Sequence, residues 1–222
     1  VKTTVVALHG FLGQGKDWDA VRAASKADLR WICPDLFSPG APNFSAPLVD
    51  EPCWLAGYSF GARLALRWMV EAPGRYLGAL LVSANPGNFQ SDDGRESRRI
   101  ADKKWAVGFR GMPWSEIVSK WDAQEIFGGR SGPLRDEANF DREKLASAME
   151  QLSIAGQFTD PLRLPWRLGW LAGTRDSKFR ALLDQMCNAG FPGSFLPVED
   201  AGHRLLSEAP EAVAAALDDL VA

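Results

Sequence analysis

The chain has 222 residues, 46% of them hydrophobic and 24% charged, and a formal net charge of -3. That length buries one sizeable core and has the composition of an ordinary soluble globular protein. The charge balance offers no general attraction to nucleic acid or an anionic membrane surface, and no apolar stretch approaches the length of a membrane span.

In chain order, Val1 to Leu8 is a β-rich apolar run, expected as a buried parallel strand; it lacks the n-region and cleavage site of a signal peptide. His9-Gly10-Phe11-Leu12-Gly13 is a glycine-punctuated loop, and Asp17 to Ala27 reads as a helix with Asp17 as its cap. Leu29 to Cys33 is a second strand. Phe37 to Asp50, with three prolines and a glycine, reads as irregular loop. Cys53 to Ala56 is a third strand, Phe60 to Glu71 a helix and Leu77 to Ser83 a fourth strand. From Ser91 to Ala155 the chain is charged, Trp-bearing and helical in period, without a convincing strand. Trp166 to Ala172 resumes the strands, followed by a helix at Ser177 to Cys187, a strand at Ser194 to Val198 and a helix at Glu208 to Val221. Alternating strands and helices predict an α/β fold, a mostly parallel sheet flanked by helices, with residues 1–90 and 156–222 as core and 91–155 as an inserted helical cap. Gly108, Gly111 and Gly128-Gly129 offer hinges in that cap. The three cysteines, Cys33, Cys53 and Cys187, are odd in number and lack metal-ligand spacing. They are expected to be buried, reduced thiols of a cytoplasmic protein, with no metal site; no cofactor motif is present.

Gly57-Tyr58-Ser59-Phe60-Gly61 joins a predicted strand to a predicted helix. Strand, G-x-S-x-G, helix is the nucleophile elbow of α/β-hydrolases, a strained turn that exposes the serine hydroxyl at a strand end and a helix N-terminus. A serine needs a base and the base an orienter, in the order Ser, acid, His in this fold. Asp176 follows the strand at Trp166 to Ala172 and His203 follows the last strand, so Ser59, Asp176 and His203 are the expected triad. His9-Gly10-Phe11 matches the oxyanion-hole loop, with the backbone N–H groups of Phe11 and Phe60 as donors and His9 holding the loop. Arg63, one helical turn beyond Ser59, suits an anionic substrate if it leans toward the site, and is otherwise a surface residue. Arg95, Arg98, Arg99, Lys103 and Lys104 in the cap, interspersed with acids, read on charge alone as a solvated helix face.

Several stretches resemble the 2-succinyl-6-hydroxy-2,4-cyclohexadiene-1-carboxylate synthase family of menaquinone biosynthesis. They are His9-Gly10-Phe11-Leu12-Gly13, Gly57-Tyr58-Ser59-Phe60-Gly61-Ala62-Arg63, Asn85-Pro86-Gly87, Leu152-Ser153-Ile154-Ala155-Gly156-Gln157, Gly173-Thr174-Arg175-Asp176-Ser177-Lys178-Phe179 and Ala201-Gly202-His203. The resemblance implies a carbon–oxygen lyase without cofactor: Ser59, activated by His203, removes a proton beside the succinyl ketone, pyruvate is eliminated and the ring becomes a cyclohexadiene. It assigns Arg63, Arg98, Trp121 and Tyr58 to binding a small polycarboxylate substrate, with Arg142 as a further arginine and Arg135 as the alternative. Two departures stand out. Asp122 occupies a family tyrosine position, where an acid repels carboxylate unless it turns away, and the stretch from Pro34 to Cys53 is too short for the helix that usually precedes the elbow strand. The competing reading is a serine esterase or thioesterase for a small anionic acyl substrate.

Overall fold

The computed structural model describes residues 2–46, 49, 51–130, 132–165 and 167–222. Val1 and Trp166, expected to open strands, and Pro47, Leu48 and Asp50 of the expected loop lie outside the described residues. The apolar runs bounded by glycine and proline become β1 (Thr3–Leu8), β2 (Leu29–Ile32), β3 (Cys53–Tyr58), β4 (Tyr76–Val82), β5 (Leu168–Gly173) and β6 (Ser194–Val198). They form one sheet in the order β2-β1-β3-β4-β5-β6, and every neighbouring pair is parallel. Parallel strands joined through helices are covered on both faces, which is why β1 is apolar without alternation: Val5, Val6, Ala7 and Leu8 are all fully buried.

Side chains still alternate between the two faces. Val5, Ala7, Trp54, Ala56, Leu80, Val82 and Leu171 share a core with Trp18 and with residues of α1 (Asp19–Ala24), α7 (Leu205–Glu208) and α8 (Pro210–Val221). The alternate set of β3 faces α2 (Phe60–Glu71), whose Ala62 backbone lies against Gly57. Each leucine buried in this way contributes about 2 kcal/mol. The sheet and these helices, with α6 (Ser177–Asn188), make one compact unit of Val1–Leu36, Pro42–Asn85 and Thr159–Ala222.

The second unit, Phe37–Ala41 and Pro86–Phe158, is helical: α3 (Asp92–Gly111), α4 (Trp114–Asp122) and α5 (Arg142–Gln151). Its chain ends are tied by Arg95. That guanidinium donates to the carbonyls of Gly87 at 2.8 Å, Ala155 at 2.9 Å and Gln157 at 3.3 Å, so Arg95 is not part of a solvated face. Residues 37–41 join this unit because the Phe37 carbonyl accepts the Asp141 N–H at 2.7 Å and the Ala41 carbonyl accepts the Lys144 ammonium.

Several local expectations need correction. The helix expected from Asp17 is a 3-10 turn, Gly15–Trp18, followed by α1, and the Asp17 carboxylate accepts the Gln14 N–H at 3.0 Å inside that turn. Of the cysteines only Cys53 is buried; Cys33 is partly exposed and Cys187 exposed. Gly108 lies inside α3, where it makes room for Ile117 and is no hinge, whereas Gly111 is the last residue of α3. Between β2 and β3 no helix forms among the described residues, as the spacing implies. No helix among the described residues is long and apolar enough to cross a membrane.

Candidate active site

Ser59 stands between β3 and α2 with φ 52° and ψ −105°, a conformation that a side chain adopts at a cost of about 1–3 kcal/mol. Its surroundings over-determine it. The Ser59 N–H donates to the Val82 carbonyl at 2.9 Å, and its own carbonyl accepts the Arg63 N–H at 3.2 Å, the first bond of α2. The flanking glycines are required by close approach. A Cβ on Gly57 would stand 2.5 Å from the Ala62 Cα, and one on Gly61 would stand 2.1 Å from the Leu8 carbonyl oxygen. Backbone atoms in both directions cannot yield as a flexible side chain would.

Asp176 follows β5 and His203 follows β6, so all three side chains sit at the carboxyl ends of parallel strands, where open α/β sheets bind ligands. The His203 Nε2 lies 3.1 Å from Ser59 Oγ and its Nδ1 lies 2.6 Å from Asp176 Oδ2. The His203 and Asp176 side chains are 3% and 2% exposed. Asp176 also caps α6, its Oδ1 accepting the Phe179 N–H at 3.2 Å. The imidazole packs against two rings, Phe179 at 4.6 Å and Tyr58 at 5.6 Å centroid to centroid. A serine hydroxyl bonded to an imidazole that is itself bonded to a buried carboxylate can lose its proton at neutral pH, which is the chemistry of both acyl transfer and proton abstraction.

His9 is fully buried. Its Nε2 accepts the Leu36 N–H at 2.9 Å, which places the ring proton on Nδ1, where it donates to the Gly10 carbonyl at 2.7 Å. Desolvation lowers its pKa to about 4, outweighing the backbone hydrogen bond, so the ring is neutral and holds the loop. That loop brings Phe11 to Phe60, the first residue of α2, with ring centroids 6.0 Å apart edge to face. Phe44, read from sequence only as loop, closes the group at 5.6 Å from the Phe60 ring. The Arg63 guanidinium lies 5.2 Å from the Phe60 centroid, so the cation leans back over the elbow instead of reaching outward along α2.

Tyr58 is partly exposed beside the histidine. It follows Trp54 and Ala56 on one face of β3 and packs on the core cluster behind His203, its ring filling the space left by Gly10. Burial raises the pKa of its phenol. It therefore buttresses the histidine, and strand alternation is the signal that identifies this orientation.

The family model described as alpha/beta hydrolase family matches residues 5–216. The chain belongs to that family. Named relatives include 2-succinyl-6-hydroxy-2,4-cyclohexadiene-1-carboxylate synthases of Salmonella heidelberg, 30% identical over 242 residues, and Escherichia fergusonii, 29% identical over 246 residues; each match covers 98% of this chain and 93% of the relative. The resemblance read from the motifs is thus a likeness over nearly the whole chain. Among solved structures, one titled as MenH from S. aureus superposes with a TM-score of 0.82 at 19% identity, covering 100% of this chain and 94% of that one.

The helical unit of this α/β-hydrolase holds the other residues that the resemblance assigned. Arg98 forms a double ion pair with Asp102, Nε to Oδ2 and Nη2 to Oδ1 each at 2.9 Å, and Asp102 Oδ2 also accepts the Ser153 hydroxyl at 2.7 Å. Trp121 sits in an aromatic group with Trp105 at 5.1 Å, Phe109 at 6.1 Å and Phe127 at 6.5 Å. Asp122 does turn to a partner, pairing with the 6% exposed Arg135 at 2.8 Å. Arg142 departs from the expectation of a substrate arginine. Its Nε donates to the Phe109 carbonyl at 2.6 Å, its Nη2 to the Met112 carbonyl, and its Nη1 pairs with Glu137 at 3.0 Å. It caps the C-terminus of α3, where carbonyls lack intrahelical donors.

Proposed function

We propose that this α/β-hydrolase is a carbon–oxygen lyase, a 2-succinyl-6-hydroxy-2,4-cyclohexadiene-1-carboxylate synthase acting in menaquinone or phylloquinone synthesis. The observation that carries this reading is the likeness, over 98% of the chain, to relatives of that name. The site is compatible with the chemistry. His203 takes the Ser59 proton through Nε2, and Asp176 stabilises the imidazolium. The serine oxygen takes the proton from the carbon beside the succinyl ketone, and the electron pair moves onto the ketone oxygen. The amides of Phe11 and Phe60 are the donors for that enolate, each worth about 10²–10³ in rate. Collapse of the enolate forms the new ring double bond and breaks the ring carbon–oxygen bond. The departing enolpyruvate receives the His203 proton and leaves as pyruvate, with the Ser59 hydroxyl already restored.

Arg63, resting on Phe60 beside the nucleophile, is the substrate carboxylate's partner in this proposal. Arg63→Ala is expected to raise KM by about tenfold to a hundredfold, the loss of a charge-assisted contact of about 1.5–3 kcal/mol. Unchanged kinetics in steady-state assays of that variant would remove the anionic site. The reaction itself is tested by supplying the menaquinone intermediate and following pyruvate release, with a p-nitrophenyl ester run beside it. Rapid ester cleavage without pyruvate would favour the second reading, a serine esterase or thioesterase for a small anionic acyl substrate. One observation supports that alternative: Arg142 is committed to α3 and Arg98 is already paired, leaving fewer arginines for a polycarboxylate.

A further inference from the structure

We propose that Glu208 is a positioning residue for His203. The proposal rests on the reading of His203 as the base of Ser59, and not on the identity of the substrate. Glu208 ends α7, and its side chain, 9% exposed, lies against the loop that carries the histidine. Oε2 accepts the Gly202 N–H at 2.9 Å and Oε1 accepts the Arg204 N–H at 3.2 Å. These are the amides immediately before and after His203, so one carboxylate grips the backbone on both sides of the base. Gly202 permits the grip: a Cβ there would lie 3.0 Å and 3.2 Å from the two carboxylate oxygens.

The same carboxylate reaches the loop of the acid. Arg175 Nη2 lies 3.4 Å from Glu208 Oε2, and the Arg175 N–H donates to the Ala201 carbonyl at 2.9 Å. Arg175 directly precedes Asp176. Glu208 therefore stands at the junction of the two loops whose spacing sets the 2.6 Å bond between Asp176 and His203. From the other side the Ser83 hydroxyl lies 3.4 Å from the His203 carbonyl. The Phe179 and Tyr58 rings restrict the tilt of the imidazole, whereas Glu208 fixes where its backbone stands. Bonds from N–H groups to a carboxylate are stronger than neutral ones. Displacing a reacting group by about 1 Å costs about 10² in rate.

The test uses Glu208→Ala and Glu208→Gln in the full chain. The first readout is the second-order rate at which a fluorophosphonate labels Ser59, located by peptide mass. The second is the downfield Nδ1 proton of His203, which is tractable because the chain has two histidines. Glu208→Ala is expected to label about 100-fold more slowly and to shift or broaden that resonance, with Glu208→Gln, which retains one carbonyl-type acceptor, falling in between. Wild-type labelling rates and an unmoved resonance in both variants would overturn the proposal, even if their thermal stability fell. If Glu208→Ala does not fold, Glu208→Gln decides by the same two readouts. A wild-type protein inert to the probe overturns the triad reading and this proposal with it. A slow variant beside a reactive wild type supports the proposal whatever the pyruvate assay returns.

Discussion

Ser59→Ala is expected to lower turnover by on the order of 10⁴ or more while leaving the thermal transition nearly unchanged. The reason for both halves is the backbone. At φ 52° the residue is strained with or without its hydroxyl, so alanine keeps the strain and loses only the chemistry. Ser59→Gly separates the two. Glycine adopts that φ without steric strain, and the relief of about 1–3 kcal/mol exceeds its entropic cost of about 0.5–1 kcal/mol, so this variant should be equally inactive yet gain about 1 kcal/mol, or about 2–4 °C in Tm for a chain of this size. Turnover measured beside thermal unfolding checks both claims. Residual activity near wild type in Ser59→Ala would remove Ser59 from the chemistry, and an unstabilised Ser59→Gly would show that the elbow stores no strain at this residue.

The elbow was legible in the sequence because its requirements are local: two glycines, a serine, an apolar run before and an amphipathic run after. The order of Ser59, Asp176 and His203 was legible because each follows a recognisable strand. What failed to show were contacts that only the tertiary structure creates. Arg142 reaches the Phe109 and Met112 carbonyls across 33 and 30 residues, and nothing near it in sequence marks it as a cap for α3. Arg95 looks like any arginine on a charged helix until Gly87, Ala155 and Gln157 converge on it. The acid at Asp122 appeared hostile to a carboxylate, but Arg135 neutralises it. Tyr58 is a different case, because alternation along Trp54, Ala56 and Tyr58 places it on the core face. The strand runs on through Tyr58, past the end expected at Ala56.

Asp176 is expected to separate catalysis from folding in the opposite way, because its two oxygens have different duties. Oδ2 holds His203, and Oδ1 caps α6 through the Phe179 N–H. Asparagine retains a carbonyl oxygen for the cap but presents an amide N–H to His203 Nδ1. The imidazole then carries its proton on Nε2, facing Ser59 Oγ at 3.1 Å as a donor, and cannot accept the serine proton. Asp176→Asn should therefore lower turnover by about 10⁴ at nearly unchanged stability. Asp176→Ala removes both interactions. It should be as inactive and in addition lose about 1 kcal/mol for the missing cap, together with packing beside a buried histidine. Steady-state rates and urea midpoints of the two variants provide the comparison. If Asp176→Asn keeps most of the turnover, the carboxylate does not set the tautomer and the hydrogen-bonded chain from Asp176 to Ser59 is not the working base. If the two variants unfold at the same midpoint, the Oδ1 cap contributes nothing to α6, and the burial of Asp176 serves the histidine alone.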